Sequence, residues 1–243
     1  MPRPVTLVTG GSRGIGAATA DRLARDGHDV AICYRVDAGA ARQVAEAVRQ
    51  HGARCLAIQA DTADADAVAR MFDQVAAELG ELTGLVNNAG VTGPIGRLAD
   101  VPIAELRRVV DVNVVGYLLC AQQAARRMTR GAIVNVSSGA ATTGSPDEYV
   151  HYAATKAAVD TLTIGLAKEL AGAGIRVNAV APGITSTDIH AAAGEPDRPV
   201  RLASRIPLGR AGEPDEIAAA IAWLLGPEAS YVTGAVLRVA GGY

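Results

Sequence analysis

Short apolar runs and longer stretches of helical spacing alternate along the whole chain. The runs are VTLVT (5–9), DVAICY (29–34), RCLAIQ (54–59), GLVNN (84–88), AIVNVS (132–137), IRVNAV (175–180) and AVLRV (235–239). They are rich in valine and isoleucine and are apolar at successive positions rather than alternate ones. A strand covered by helices on both faces carries that pattern, because neither side meets water. Between the runs lie alanine-rich segments. In 215–225, Ile217, Ile221, Leu224 and Leu225 fall on one helical face, and Pro214 suits the first turn. Strand and helix alternating end to end predict an α/β fold, a doubly wound parallel sheet of about seven strands with helices on both faces. No linker or repeat divides the chain, so residues 1–243 read as a single domain. Residues 184–212, with Gly194, Pro196, Pro199 and Pro207, are the irregular part. At the carboxyl edge of such a sheet they are expected to form a substrate-binding lid.

Composition narrows the picture. Hydrophobic residues make up 49% of the chain, yet no apolar run reaches the ~20 residues of a membrane span. The first residues, MPRPVTLVTGGSRG, read as a strand running into glycines rather than a signal peptide, so a cytoplasmic location is expected. A formal charge of −2 offers no basic field for nucleic acid. Cys33, Cys55 and Cys120 form no metal-binding spacing and are expected to be buried free thiols.

The first strand runs directly into TGGSRGIG, Thr9 to Gly16, and then into a helix. That context suits a phosphate-binding turn of Rossmann type. Gly10 allows the sharp exit from the strand, Gly14 lets a pyrophosphate approach the backbone, and Gly16 lets helix and sheet pack closely. Ser12, Arg13 and Ile15 complete the turn, and the helix start presents unpaired N–H groups to the phosphates. A carboxylate at the end of the second strand would bind a ribose 2′-hydroxyl. Here the chain reads CYR, with Tyr34 and Arg35 in its place. Arg35 and Arg13 together favour a 2′-phosphate, because guanidinium pairs with phosphate through two charge-assisted bonds. The expected cofactor is NADP(H).

The segment EYVHYAATK, Glu148 to Lys156, supplies candidate acid–base groups. On a helix, Tyr152 and Lys156 share one face, with Cβ atoms about 5–6 Å apart. A phenol titrates near 10, too high for a base at neutrality, so a nearby ammonium and an oxidised nicotinamide are expected to lower it. Tyr152 then donates a proton in reduction and accepts one in oxidation. Tyr149 and His151 lack that spacing to the lysine and are expected at a pocket rim, at an interface or as structural groups.

The glycine spacing, NNAG at 87–90 and the Y-x-x-x-K of 152–156 together resemble the short-chain dehydrogenase/reductase family over essentially the whole chain. The resemblance implies an NADP-dependent oxidoreductase acting on a carbonyl or alcohol. It implies that Asn87, Asn88, Ala89 and Gly90 shape the adenosine side of the site, and that Asp61, with Thr62, meets the adenine. Ser138 of NVSSG becomes the serine that polarises the substrate oxygen, although one extra residue in SPDEYVH leaves Ser137 open. Asn113 becomes a fourth catalytic position, interrupting a long helix and holding a water behind Lys156. Lys156 also holds the nicotinamide ribose, Pro182 and Gly183 turn the chain beside the nicotinamide, and Ile184 and Thr187 meet its carboxamide. The substrate reading stays open between a 3-oxoacyl-thioester reductase and a sugar dehydrogenase. A non-catalytic NADP-binding sensor is the alternative of a different class. Arg198, Arg201 and Arg205 are either solvated or placed to greet an anion. A homotetramer is implied.

Overall fold

The computed structural model describes residues 3–243. Seven strands form one sheet: β1 (Val5–Val8), β2 (Asp29–Tyr34), β3 (Cys55–Gln59), β4 (Leu82–Asn87), β5 (Gly131–Val136), β6 (Ile175–Pro182) and β7 (Val236–Val239). All neighbours pair in parallel, in the order β3-β2-β1-β4-β5-β6-β7. Chain order reverses between β1 and β4, and the crevice at their carboxyl ends is where a doubly wound sheet takes its ligand.

The longer helices are α1 (Gly14–Arg25), α2 (Ala38–Gln50), α3 (Ala65–Glu78), α4 (Ile103–Val110) and α5 (Gly116–Arg127). After β5 come a short α6 (Ala140–Thr143), the long α7 (Val150–Leu170), short α8 (Ile189–Ala192) and α9 (Arg198–Leu202), and α10 (Pro214–Leu225). Two apolar layers hold them to the sheet. On one face Leu7, Leu85, Ile133 and Val177 pack against Phe72 of α3, Cys120 of α5 and Ala167 of α7. On the other, Val8, Ile32, Val134 and Val180 pack against Leu23 of α1, Val48 of α2 and Ile217 and Ile221 of α10. Inner strands are therefore apolar on both sides. The edge strand β7 departs from the expectation: Val236 is exposed, because the helical layers do not reach over the sheet's rim.

Two local features position the site. A π-helical turn, Asp111–Val115, interrupts the rod formed by α4 and α5 and turns the Asn113 side chain inward. Such a turn inserts one residue into the helical ladder and is common at functional sites. Buried amides also tie the strands together: Asn87 donates to Asn135 Oδ1 (3.0 Å), and Asn135 donates to Thr163 Oγ1 of α7 (2.9 Å). Asn87 is thus an internal strut, not the site residue expected of it. Cys33 and Cys120 are buried thiols, but Cys55, on edge strand β3, is only half-buried.

Candidate active site

Thr9, at the end of β1, organises the glycine turn. Its Oγ1 accepts from the amides of Asn88 (3.0 Å) and Ala89 (3.1 Å), while Asn88 Nδ2 donates to the carbonyls of Thr9 (2.9 Å) and Gly10 (3.1 Å). The turn is thereby stitched to the end of β4. Gly10 and Gly14 have φ of +62° and +53°, the left-handed region that favours glycine. A Cβ on Gly16 would lie 2.3 Å from the Gly10 carbonyl oxygen, so only glycine lets α1 approach. No side chain caps the start of α1; Arg13 stands there exposed, beside a half-buried Ser12. An uncapped helix start behind a narrow, glycine-rich turn fits the phosphates of a dinucleotide.

Beyond β2, Tyr34 is partly buried and Arg35 exposed. Arg35 Nη1 lies 3.9 Å from Asp61 Oδ2, so a carboxylate loosely answers one of the two cations. Asp61 Oδ1 also accepts from the Ala63 amide (3.0 Å), and Thr62 is buried.

A cleft of about 380 Å³ opens at the carboxyl ends of β4, β5 and β6. Ile15, Asn88, Gly90, Ser138, Tyr152, Lys156, Pro182, Gly183, Ile184 and Thr187 lie on its wall. The other expected residues are off its wall: Gly10, Ser12, Arg13, Gly14 and Gly16 in the turn, Tyr34 and Arg35 at the end of β2, Asp61 and Thr62 after β3, Ala89 after β4, and Asn113 in the π-helical turn.

Ser138 and Ser137 are adjacent yet do different things. Ser138 Oγ accepts from the Ala140 amide (3.1 Å) and shares the cleft wall with Tyr152, near enough to pull that phenol's pKa down. Ser137 is buried; its Oγ donates to the Lys156 carbonyl (3.3 Å). Lys156 Nζ stands 5.7 Å from the Tyr152 ring centre, and its hydrogen bonds go to Tyr117 Oη (3.1 Å) and the Val136 carbonyl (2.8 Å). Burial pushes the Tyr152 hydroxyl up to about 12, against the downward pull of Ser138. Burial likewise brings the Lys156 amine down to about 7, with Asp160 opposing. The expected lowering of the phenol invoked the lysine together with an oxidised nicotinamide; in the protein alone the phenol is raised. Within the protein's own groups, desolvation outweighs the pull of Ser138 on the phenol and of Asp160 on the amine.

Asn113 is wholly buried. Its Oδ1 accepts from the Val91 amide (2.9 Å), and its Nδ2 donates to the Val91 carbonyl (2.8 Å) and Thr155 Oγ1 (3.1 Å). Gly90 lies where strand end, asparagine and lysine meet: a Cβ there would be in ordinary contact with Asn113 Oδ1 (3.4 Å) and Lys156 Nζ (3.6 Å).

His151 is off the cleft wall; its ring Nε2 bonds the Thr92 carbonyl at 2.9 Å. Tyr149 is on the wall, edge-on to Tyr152 with ring centres 6.1 Å apart. Arg198 lies over the Tyr149 ring at 5.0 Å. Arg198 is not solvated: its side chain is 5% exposed, and on the cleft wall its charge is answered by Glu148 and Glu195. Arg201 is exposed and shares Glu195, and Arg205 is exposed at the cleft. The loop before α7 holds Ser145 and Asp147 at φ of +41° and +62°, strained for residues with side chains. Sequence reasoning missed Thr9, Tyr117 and the Arg198 cluster, whose partners are distant in the chain.

A glycine turn at the first helix, facing serine, tyrosine and lysine across the carboxyl edge of a parallel sheet, defines a Rossmann-type oxidoreductase. Residues 10–243 match the family model described as enoyl-(acyl carrier protein) reductase. The chain is 47% identical to the uncharacterized oxidoreductase YgfF of Escherichia coli (strain K12), over 98% of this chain and 99% of that protein. It is 44% identical to the cis-4-hydroxycyclohexanecarboxylate dehydrogenase of Sinomonas cyclohexanicum, over 98% of this chain and 96% of that protein. Among solved structures, a short chain dehydrogenase of Burkholderia cenocepacia J2315 in complex with NADP superposes with a TM-score of 0.93. It is 41% identical and covers 98% of this chain and 97% of its own. The protein belongs to the short-chain dehydrogenase/reductase family.

Proposed function

We propose that the protein moves a hydride between NADP(H) and the carbon of a small-molecule carbonyl or secondary alcohol. The observation that carries this reading is that Ser138 and Tyr152 share the cleft wall, with the buried Lys156 amine 5.7 Å from the Tyr152 ring centre. The NADP complex of the Burkholderia relative supports the nicotinamide assignment, and Arg13 and Arg35 favour the 2′-phosphate form. Asp61, Asn88, Ala89 and Gly90 take the adenosine side, and Pro182, Gly183, Ile184 and Thr187 the nicotinamide side. The cofactor, when bound, supplies or takes the hydride.

In reduction, the Ser138 and Tyr152 hydroxyls donate hydrogen bonds to the carbonyl oxygen, and negative charge growing there strengthens both. Tyr152 gives its proton to that oxygen, closing the alcohol O–H bond as its own breaks. Its raised pKa keeps the phenol protonated at neutrality, which suits a donor. In oxidation the same oxygen must accept a proton, and positive charge beside it lowers the cost of phenolate. Asn113 fixes the strand end at Val91 and, through Thr155, the helix that carries Lys156.

Residues 184–212 form the lid of this one domain, and a cytoplasmic homotetramer is the proposed assembly. Exposed Ile103, Val110, Leu118 and Ile164 on α4, α5 and α7 are apolar surface that such an assembly would cover. NADPH consumption measured against 3-oxoacyl thioesters, aldoses and cyclic ketones tests the activity. Turnover that survives in Tyr152→Phe would show the proton donor is another group.

A further inference from the structure

Lys156 and Lys168 are the only lysines in the sequence, and Lys156 is the one that lines the cleft. Its amine has a neighbour that none of the sequence motifs pointed to. Tyr117 lies on α5, one turn beyond Asn113, and is 2% exposed. Its hydroxyl donates to the Val136 carbonyl at 2.9 Å and accepts from Lys156 Nζ at 3.1 Å. Lys156 Nζ reaches the same carbonyl at 2.8 Å and stands 4.9 Å from the centre of the Tyr117 ring. Amine, phenol and carbonyl oxygen form a closed triangle inside the protein, each within hydrogen-bond distance of the others.

We propose that Tyr117 is a positioning residue for Lys156, fixing where its amine stands beside Tyr152 and favouring its charged form. The proposal rests on the proposed reading in which Tyr152 and Lys156 serve the reaction. The physical basis is solvation. A buried ammonium has lost its water and needs acceptors in exchange. The Val136 carbonyl supplies one and the Tyr117 oxygen a second, while the ring face adds a cation–π attraction. A phenylalanine in that place would keep the ring and the packing and remove only the oxygen.

The groups facing this amine come from three directions. Tyr152 and Asp160 lie one turn to either side on α7; Tyr117 and Asn113 face it from α5 and the π-helical turn; Ser137, Ser138 and the Val136 carbonyl lie at the end of β5. Asp160 favours the charged amine, and burial opposes it. Tyr117 itself stays a neutral phenol, since burial raises its pKa well above the ordinary value.

The test is a nitrogen NMR titration of the full chain labelled at lysine Nζ, where the two side-chain amines are resolved and Lys168 serves as internal control. In Tyr117→Phe the Lys156 transition should move down by about one pH unit, the worth of one hydrogen bond to a charged group, while Lys168 stays in place. In the reduction direction, the alkaline limb of the kcat profile should move down with it, more than KM for the carbonyl changes. Tyr117→Leu, which removes the ring as well, should shift the amine at least as far. A Lys156 titration unchanged in both variants, with superimposable pH profiles, overturns the proposal. Tyr152→Phe separates this from failure of the underlying reading: if that variant is inactive while Tyr117→Phe matches wild type, only the role of Tyr117 falls.

Discussion

Arg198 donates to both carboxylate oxygens of Glu148, and so fastens the segment after β6 to the loop before α7. The guanidinium is almost wholly buried and also meets Glu195 at 3.1 Å, whereas the Glu148 side chain keeps 34% exposure. The clasp closes over Tyr149, next to Tyr152, and so sets the width of the cleft where a substrate would enter. Arg198→Ala should destabilise the protein by about 1–3 kcal/mol, less than a fully buried pair because water reaches Glu148. KM for the carbonyl should rise more than kcat falls. The exchanged pair, Glu148→Arg with Arg198→Glu, should recover part of the loss. Thermal melting and steady-state kinetics read both; equal kinetics in wild type and Arg198→Ala would show that the clasp does not shape the site.

Lys156 predicts an unusual dependence of stability on pH. Its amine is held at about 7 in the fold against an ordinary 10.5. Between those values the unfolded chain carries a proton that the folded chain has released, so stability rises with pH across that window. The thiols of Cys33, Cys55 and Cys120 work in the opposite sense: burial raises Cys33 from 9.0 to about 12, Cys55 to about 11 and Cys120 further still, and the three outweigh the one amine above 9.0. Melting temperature should therefore climb from pH 7 to pH 9 and then fall, and the climb should vanish in Lys156→Met. A flat wild-type profile over that range would mean that the amine keeps its proton.

Arg35 separates the two nicotinamide cofactors. Arg35→Ala should weaken NADPH binding about 10- to 100-fold, the worth of a hydrogen bond between charged groups, and leave NADH nearly unchanged. Asp61→Asn should shift the preference toward NADPH, because it releases Arg35 from the carboxylate 3.9 Å away while a loss at the adenine falls on both cofactors alike. Fluorescence titration with both cofactors decides; equal losses for both would remove Arg35 from the 2′-phosphate site.

Gly16 has no room for a methyl group. Its Cβ would lie 2.3 Å from the Gly10 carbonyl oxygen and 2.6 Å from Asn88 Nδ2, and a backbone atom cannot step aside cheaply. Gly16→Ala should cost about 1–3 kcal/mol and loosen the stitched turn, with cofactor affinity falling alongside. Denaturant unfolding and the same fluorescence titration check it.

The strands, their parallel sheet and the glycine turn were legible in sequence because each depends on local pattern. Successive apolar positions mark a strand covered on both faces, and a glycine run between strand and helix marks a narrow turn. The spacing of Tyr152 and Lys156 was likewise a property of one helix. What the sequence left open was decided by contacts between distant segments. Ser137 turns to the Lys156 carbonyl while Ser138 shares the cleft wall with Tyr152, because of how β5 ends against α7. Arg198 is buried, because Glu148 reaches it from fifty positions away. The Lys156 amine turns to Tyr117 and Val136, because α5 and β5 converge behind it, and its low pKa follows from that burial. Periodicity in a chain reports which faces are covered; which groups are driven together, and how much water they lose, is settled only when the layers close.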